Sequence, residues 1–180
     1  MRVEEVAALI RPFVDEGDEA AMKSRELVLM LLAHGSSPFS RDHFTPGHIT
    51  GTAVVFAPDR QKFLLVHHRR LDRWLLPGGH VEAEDLQVGD TARREAIEET
   101  GVILQNEQLP LLVGIDVHGI PAKGREPYHL HHDLVFSFTA AEKKLGASEE
   151  TRDVVWAAIG DFDRYDLPLS IRRSVLRALW

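Results

Sequence analysis

Apolar positions change their period along the chain, and each change marks a different kind of element. Val3, Val6, Ala7, Ile10 and Phe13 or Val14 recur three and four residues apart, which builds a single stripe on a helix. Gly17 interrupts the stripe, and Asp18 is placed to cap a second helix running through Leu27, Met30 and Leu31 to His34-Gly35. Ser36-Ser37-Pro38 and Thr45-Pro46-Gly47 are loop punctuation. From Ile49 the pattern turns strand-like: ITGTAVVF and KFLLVHH flank the turn-type insert APDRQ and predict a hairpin. Trp74-Leu75-Leu76 is a short apolar run that stops at Pro77-Gly78-Gly79. A helix is expected near residues 90–100, ended by Gly101. LLVGIDVH and YHLHHDLVFSF predict two more strands, and Thr151–Ala157 a last one. Helical segments around Asp161–Tyr165 and Leu169–Trp180 close the chain. This order predicts an α/β or α+β sandwich, with residues 1–45 as a helical extension packed on a domain of residues 46–180.

Composition narrows the function classes. The chain has 180 residues, 44% hydrophobic and 27% charged, enough for one core without staples. A net charge of −7 argues against a nucleic-acid polymer as partner, because phosphate backbones draw dense Lys/Arg patches. A small phosphorylated substrate needs only a local positive pocket or bound cations. With no cysteine there is no disulfide scaffold, thiolate zinc site or thiol catalysis. The longest apolar stretch, Leu27–Ala33, falls short of the ~18–20 residues of a membrane span, and the N-terminus lacks a signal-peptide core. A cytoplasmic setting without membrane contact is expected.

Candidate chemistry concentrates in PGGHVEAEDLQVGDTARREAIEETG, Pro77–Gly101. Glu95, Glu98 and Glu99 stand at i, i+3 and i+4, so their carboxylates share a helix face. At ~5–6 Å and an effective dielectric of ~20, each like-charge pair costs roughly 3 kcal/mol, less on a wet surface. Mg²⁺ removes that penalty, because it takes carboxylate oxygens and keeps positions for water and phosphate. Gly78-Gly79 lets backbone approach an ion or ligand closely, and Arg94 is placed to orient a carboxylate. The bland alternative is a solvated helix with an Arg94–Glu98 pair and Gly101 as its C-cap.

These residues resemble the signature of the Nudix hydrolases: a Gly, five residues, Glu, seven residues, then Arg-Glu-aliphatic-x-Glu-Glu-x-Gly-aliphatic. Gly79 opens it, and Arg94-Glu95-Ala96-Ile97-Glu98-Glu99-Thr100-Gly101-Val102 closes it. Asp85 stands at the first Glu position, eight residues separate it from Arg94, and Ala96 replaces the bulky aliphatic. The lead-in His67-His68-Arg69-Arg70-Leu71-Asp72-Arg73-Trp74-Leu75-Leu76-Pro77-Gly78-Gly79-His80 is similar to one bacterial branch of that family. The resemblance, over about residues 48–165, implies a mixed β-sheet sandwiched between helices. It also implies Mg²⁺-dependent cleavage (Mn²⁺ as a possible substitute) of a nucleoside diphosphate linked to another moiety, or of a related organic diphosphate, by water attack on phosphorus. Under it, Glu95, Glu98, Glu99 and the Gly78 carbonyl hold the metal, and Arg94 orients the carboxylates. Many relatives are dimers, so a homodimer is a further expectation.

The general base stays open among Glu95 in the signature, Glu150 in SEETRD, and Glu126 after the LLVGIDVH strand. Two strands also carry Asp116-x-His118 and His129-x-His131-x-Asp133, each set on one strand face. A hairpin centred near Lys123-Gly124 would set His118 opposite His129 and Asp116 opposite His131. Such a cluster suits a transition metal or substrate phosphates; an exposed sheet face is the plain alternative. His80, Arg69 and Arg73 join His118, His131 and Asp133 as candidate substrate contacts. A catalytically silent nucleotide-binding or sensor domain is the competing function, although it would have no use for crowded like charges. Diphosphate isomerase chemistry would want a nucleophilic cysteine.

Overall fold

The computed structural model describes residues 1–105, 110–146, 148 and 151–180. Two helices, α1 (Val3–Ile10) and α2 (Glu19–His34), precede the sheet, and the Asp18 carboxylate caps α2 by accepting from the Ala21 N–H at 3.0 Å. The strands are β1 (Gly47–Phe56), β2 (Lys62–His68), β3 (Arg73–Leu75) and β4 (Gly78–His80), then β5 (Leu111–Ile120), β6 (His129–Thr139) and β7 (Thr151–Ala158). Helix α3 (Val88–Thr100) lies between β4 and β5, and α4 (Leu169–Arg177) ends the chain. Residues around 161–165 form successive turns rather than the expected helix.

The seven strands form one mixed sheet in the order β3-β2-β1-β6-β5, with β4 on β1 and β7 on β2. The expected hairpin of β1 and β2 exists only at its base, where Phe56 pairs Phe63. Beyond that point the strands part. β1 runs parallel to β6 over all ten of its residues, Gly47↔Leu130 to Phe56↔Thr139, and antiparallel to β4. β2 pairs β7 and β3 instead.

Alternation along β1 divides the core in two. Ile49, Ala53 and Val55 pack with α1, α2 and α3, whereas Val54 and Phe56 pack with α4. Each fully buried Ile, Val or Phe here stabilises the fold by about 1.5–3 kcal/mol. Helix α3 rides directly on β1: a Cβ on Gly51 would lie 2.8–2.9 Å from the Val88 carbonyl oxygen, the Ala92 nitrogen and the Thr91 Cβ. Gly51, together with Ala92 and Ala96, allows that approach. A reciprocal Gln87/Asp90 capping box starts α3, and Gly101 in the left-handed region (φ 63°) ends it. On the opposite face, α4 packs over Val54, Phe56, Phe63 and Val135, while the end of β1 bearing His48 is lined by His80, His129, His131 and Phe44.

Candidate active site

Strand β4 separates two groups of side chains by its own alternation. Gly79 faces α3, and a side chain there would collide with the Glu95 carboxylate; Gly78 and His80 face the other way, toward Thr52 and Thr50 of β1. The close approach of Glu95 therefore requires glycine at 79. The Gly78 N–H donates to Glu99 Oε2 at 3.1 Å, and Glu99 is only 5% exposed.

Arg94 is the centre of the α3 side. Its Nη1 contacts Glu95 Oε1 at 2.9 Å and Glu98 Oε2 at 3.1 Å. Its Nη2 donates to the His80 carbonyl at 2.8 Å and to Asp85 Oδ2 at 3.0 Å, and Nε reaches Asp85 Oδ1 at 3.2 Å. Bonding to Asp85, with Glu95 adding to it, raises the guanidinium pKa still further. Asp85 is buried and also accepts from the Glu82 N–H and the Thr91 hydroxyl. Burial pushes its carboxyl up, but Arg94 and these two donors outweigh that and hold it below the ordinary carboxylate value. Asp85 thus acts as the anchor of Arg94. Glu95, Glu98 and Glu99 do share a helix face, with Glu98 the most exposed. Arg94, bonded to both Glu95 and Glu98, offsets the repulsion between them. Both features of the plain helix reading, the Arg94–Glu98 pair and the Gly101 cap, are present within this arrangement.

The second group lies on the far side of β4. His48 pairs His131 across β1 and β6, and His80 pairs Thr50. The three imidazole centroids form a near-equilateral triangle of 4.9–5.2 Å. Next to it, Thr50 hydrogen-bonds Asp133, and His118 Nδ1 stands 3.1 Å from Asp116 and 3.6 Å from Asp133. The hairpin register differs by two residues from the expected one: His118 faces His131 and Asp116 faces Asp133. The cause is a tight turn. Lys123 and Glu126 exchange backbone hydrogen bonds, and Gly124 takes φ 61°, so only Gly124-Arg125 form the loop.

Charge state separates these histidines. Burial holds the His80 imidazole down at about 4 and lowers His131 and His48, with neighbouring imidazoles adding to the effect. Burial opposes the charged form of His118 too, yet Asp116 and Asp133 overcome it and raise that group to about 9. At neutral pH, His118 is a cation beside a trio of neutral rings. Among the described residues, His48/His80/His131 and Asp116/His118/Asp133 are the groups whose potential metal-ligating atoms all lie within 4.8 Å; the three glutamates of α3 are not so closely gathered.

Residues 47–178 match the family model described as NUDIX domain. The chain belongs to the Nudix family. That family consists of hydrolases acting on pyrophosphate bonds, and the mixed sheet flanked by helices is its fold. A NUDIX hydrolase from Nitrosomonas europaea superposes with a TM-score of 0.54 at 19% identity, over 72% of this chain and 86% of that one. The NUDIX domain of Shewanella oneidensis NrtR, solved with ADP ribose, gives 0.51 at 20% identity over 83% and 95%. The E. coli dihydroneopterin triphosphate pyrophosphohydrolase gives 0.51 at 17% over 71% and 91%. No curated protein matches the chain in sequence.

Other candidate residues of the Nudix domain fall at varying distances from the box. Arg69 turns away, donating to the Thr151 carbonyl at 3.3 Å. Arg73 lies on β3 opposite His68 and is one of the charges felt by His118. Trp74 meets Tyr165 edge-on and His67 at a tilt, and packs on the α4-side core, which favours a structural role. Glu126 pairs with Arg70 at 3.0 Å, which keeps its carboxyl below the usual value. Glu150 lies outside the described residues. His48 was not singled out from sequence; its signal was the alternation His48-x-Thr50-x-Thr52, polar positions on one face of an otherwise apolar strand.

Proposed function

We propose that the chain is a Mg²⁺-dependent hydrolase, with Mn²⁺ as a possible substitute, that cleaves the pyrophosphate bond of a nucleoside diphosphate joined to another moiety or of a related organic diphosphate. Water attacks phosphorus. The observation that carries this reading is the ionic knot beside the glycine pair, where one guanidinium binds Asp85, Glu95 and Glu98 while Glu95 fills the space over Gly79. One cation against four carboxylates, Glu99 included, leaves negative charge that a hard divalent ion would offset, and these oxygen donors suit Mg²⁺. When bound, such an ion neutralises phosphate charge and orients the nucleophile.

The chain's own residues divide the remaining work. Glu95, Glu98, Glu99 and the Gly78 carbonyl would hold the cation. Arg94 is a positioning residue that fixes two of these carboxylates, and Asp85 fixes Arg94. Arg73 and protonated His118 attract the diphosphate toward the face lined by His80, His131 and Asp133. Glu95 and Glu150 are the carboxylates to which proton removal from water falls. Glu126 is held by Arg70, as Glu95 is by Arg94, so ion pairing alone does not choose the base.

The test is product release by the full chain over a panel of ADP-ribose, a dinucleoside polyphosphate, an oxidised nucleotide and a non-nucleotide diphosphate. Turnover is expected with Mg²⁺ and not without it, and Glu98→Gln is expected to lower kcat by about 100-fold or more. Full activity in Glu98→Gln, or turnover after complete removal of divalent ions, overturns the assignment. Tight nucleotide binding without cleavage identifies a silent binding domain instead.

A further inference from the structure

We propose that His48, His80 and His131 form a second metal site, distinct from the box carboxylates, which binds one divalent transition-metal ion of the zinc class. Three strands converge to make it. His48 and His131 are direct register partners on adjacent parallel strands. His80 comes from β4, which pairs β1 two residues further on. The backbone ladder, rather than flexible loops, sets their spacing. One ligand atom from each lies within 4.8 Å of the others. Tetrahedral ligands at a Zn–N distance of about 2.0–2.1 Å sit about 3.3 Å apart, so modest side-chain rotations close the triangle.

His48 supplies the observation that points to a ligand. It is 1% exposed, and its Nδ1 lies 3.3 Å from the His43 carbonyl, which fixes the proton on that nitrogen. Nε2 is buried and, among the described residues, has no hydrogen-bond partner. Buried polar atoms are rarely left unpaired. Here the neighbouring rings are His80, His131 and His129, with centroids 4.9–5.1 Å from that of His48, and His129 is engaged through Nδ1 with the Pro127 carbonyl. The carbonyl contact of His48 is also the outer-shell bond that metal-binding histidines usually make.

Chemistry separates this site from the box. Imidazole nitrogen selects zinc, cobalt, nickel or copper over magnesium, whereas carboxylate oxygen favours magnesium. The alternation of β4 places the two donor sets back to back, with Gly79 against Glu95 and His80 against His48 and His131. Arg94 joins them by binding both the box glutamates and the His80 carbonyl. Three protein ligands leave a position open for water or an anionic oxygen. The inference does not depend on hydrolysis.

The test is a titration of chelator-stripped, dialysed full-length protein with CoCl₂ in the presence of excess Mg²⁺, read by visible absorption. One Co²⁺ per chain is expected, with the intense bands of a low-coordinate nitrogen site. His80→Gln and His131→Gln, both at half-buried positions, are each expected to weaken Co²⁺ binding at least about 100-fold, the upper range for loss of an outer-shell partner. Glu98→Gln should leave binding unchanged. Absence of the bands in the wild type overturns the proposal even if a variant fails to fold. Binding that survives both histidine substitutions, or disappears in Glu98→Gln, overturns it as well.

Discussion

At the scale of single residues, the decisive contact is between Asp85 and Arg94. Asp85 is 6% exposed and receives four donors: two from Arg94, one from Glu82 and one from Thr91. Replacing it with Asn leaves Arg94 facing a neutral amide in a partly buried place, where loss of one ionic partner costs about 3–5 kcal/mol. Arg94 keeps its links to Glu95 and Glu98, so about 3 kcal/mol is expected for Asp85→Asn, measured by urea denaturation at pH 7. The pH dependence has a definite sign. The folded carboxyl lies below its unfolded value, so its stabilisation is complete above the ordinary carboxylate pKa of about 4. It is lost as pH falls from there through the depressed folded value. Wild type should weaken in that acid window, and Asp85→Asn should flatten the curve there; equal acid sensitivity in both would contradict the role. An anion at 85 was visible in the sequence. That it folds back to hold Arg94 was not, because the contact depends on the path of the loop before α3.

At the scale of elements, the end of α3 was legible and the β5–β6 register was not. A helix needs a left-handed residue or another cap at its terminus, and Gly101 stands directly after the glutamates. Register depended on whether the turn was centred at Lys123-Gly124 or one residue-step later, a difference that local composition does not express. Since the shift is two residues, every side chain stays on its expected face, and Asp116, His118, His131 and Asp133 still meet. The partial β1–β2 hairpin has a similar cause: β1 finds its longer partner in β6, more than seventy residues away. Two glycines test the capping argument. Gly101→Ala forces Cβ into a left-handed conformation at φ 63°, with the Gly146 nitrogen 3.3 Å away, and should cost about 1–2 kcal/mol. Among the described residues, Gly146→Ala meets nothing within 4 Å, and it does not have that φ, so its denaturation midpoint should match wild type. Equal effects from the two would remove the cap from the account.

At the scale of the whole molecule, the N-terminal helices are part of the structural support for the sheet. Ile10, Val28, Leu31 and Leu32 are almost fully buried in the core shared with Ile49, Ile115 and Leu134. Helix α2 also covers β5, which stands at the end of the strand order, and the Val117 N–H donates to the Ser24 hydroxyl at 3.1 Å. An open edge of this kind invites pairing with another chain. Asp15 and Asp18 tie the same region to α4 through Arg173 and Arg177. Deleting residues 1–35 would remove six buried apolar side chains, Val6, Ile10, Phe13, Val28, Leu31 and Leu32, at about 1.5–3 kcal/mol each, against a total stability on the order of 5–15 kcal/mol for a typical domain. It would also uncover that edge and strand two arginines. The truncated chain should therefore aggregate or bind a hydrophobic dye without a cooperative unfolding transition. A soluble chain of residues 36–180 that unfolds cooperatively near the full-length midpoint would show that the sheet and α3 hold together without the extension. Sequence periodicity revealed these helices, but their place over the edge strand emerges only once β5 and β6 are paired.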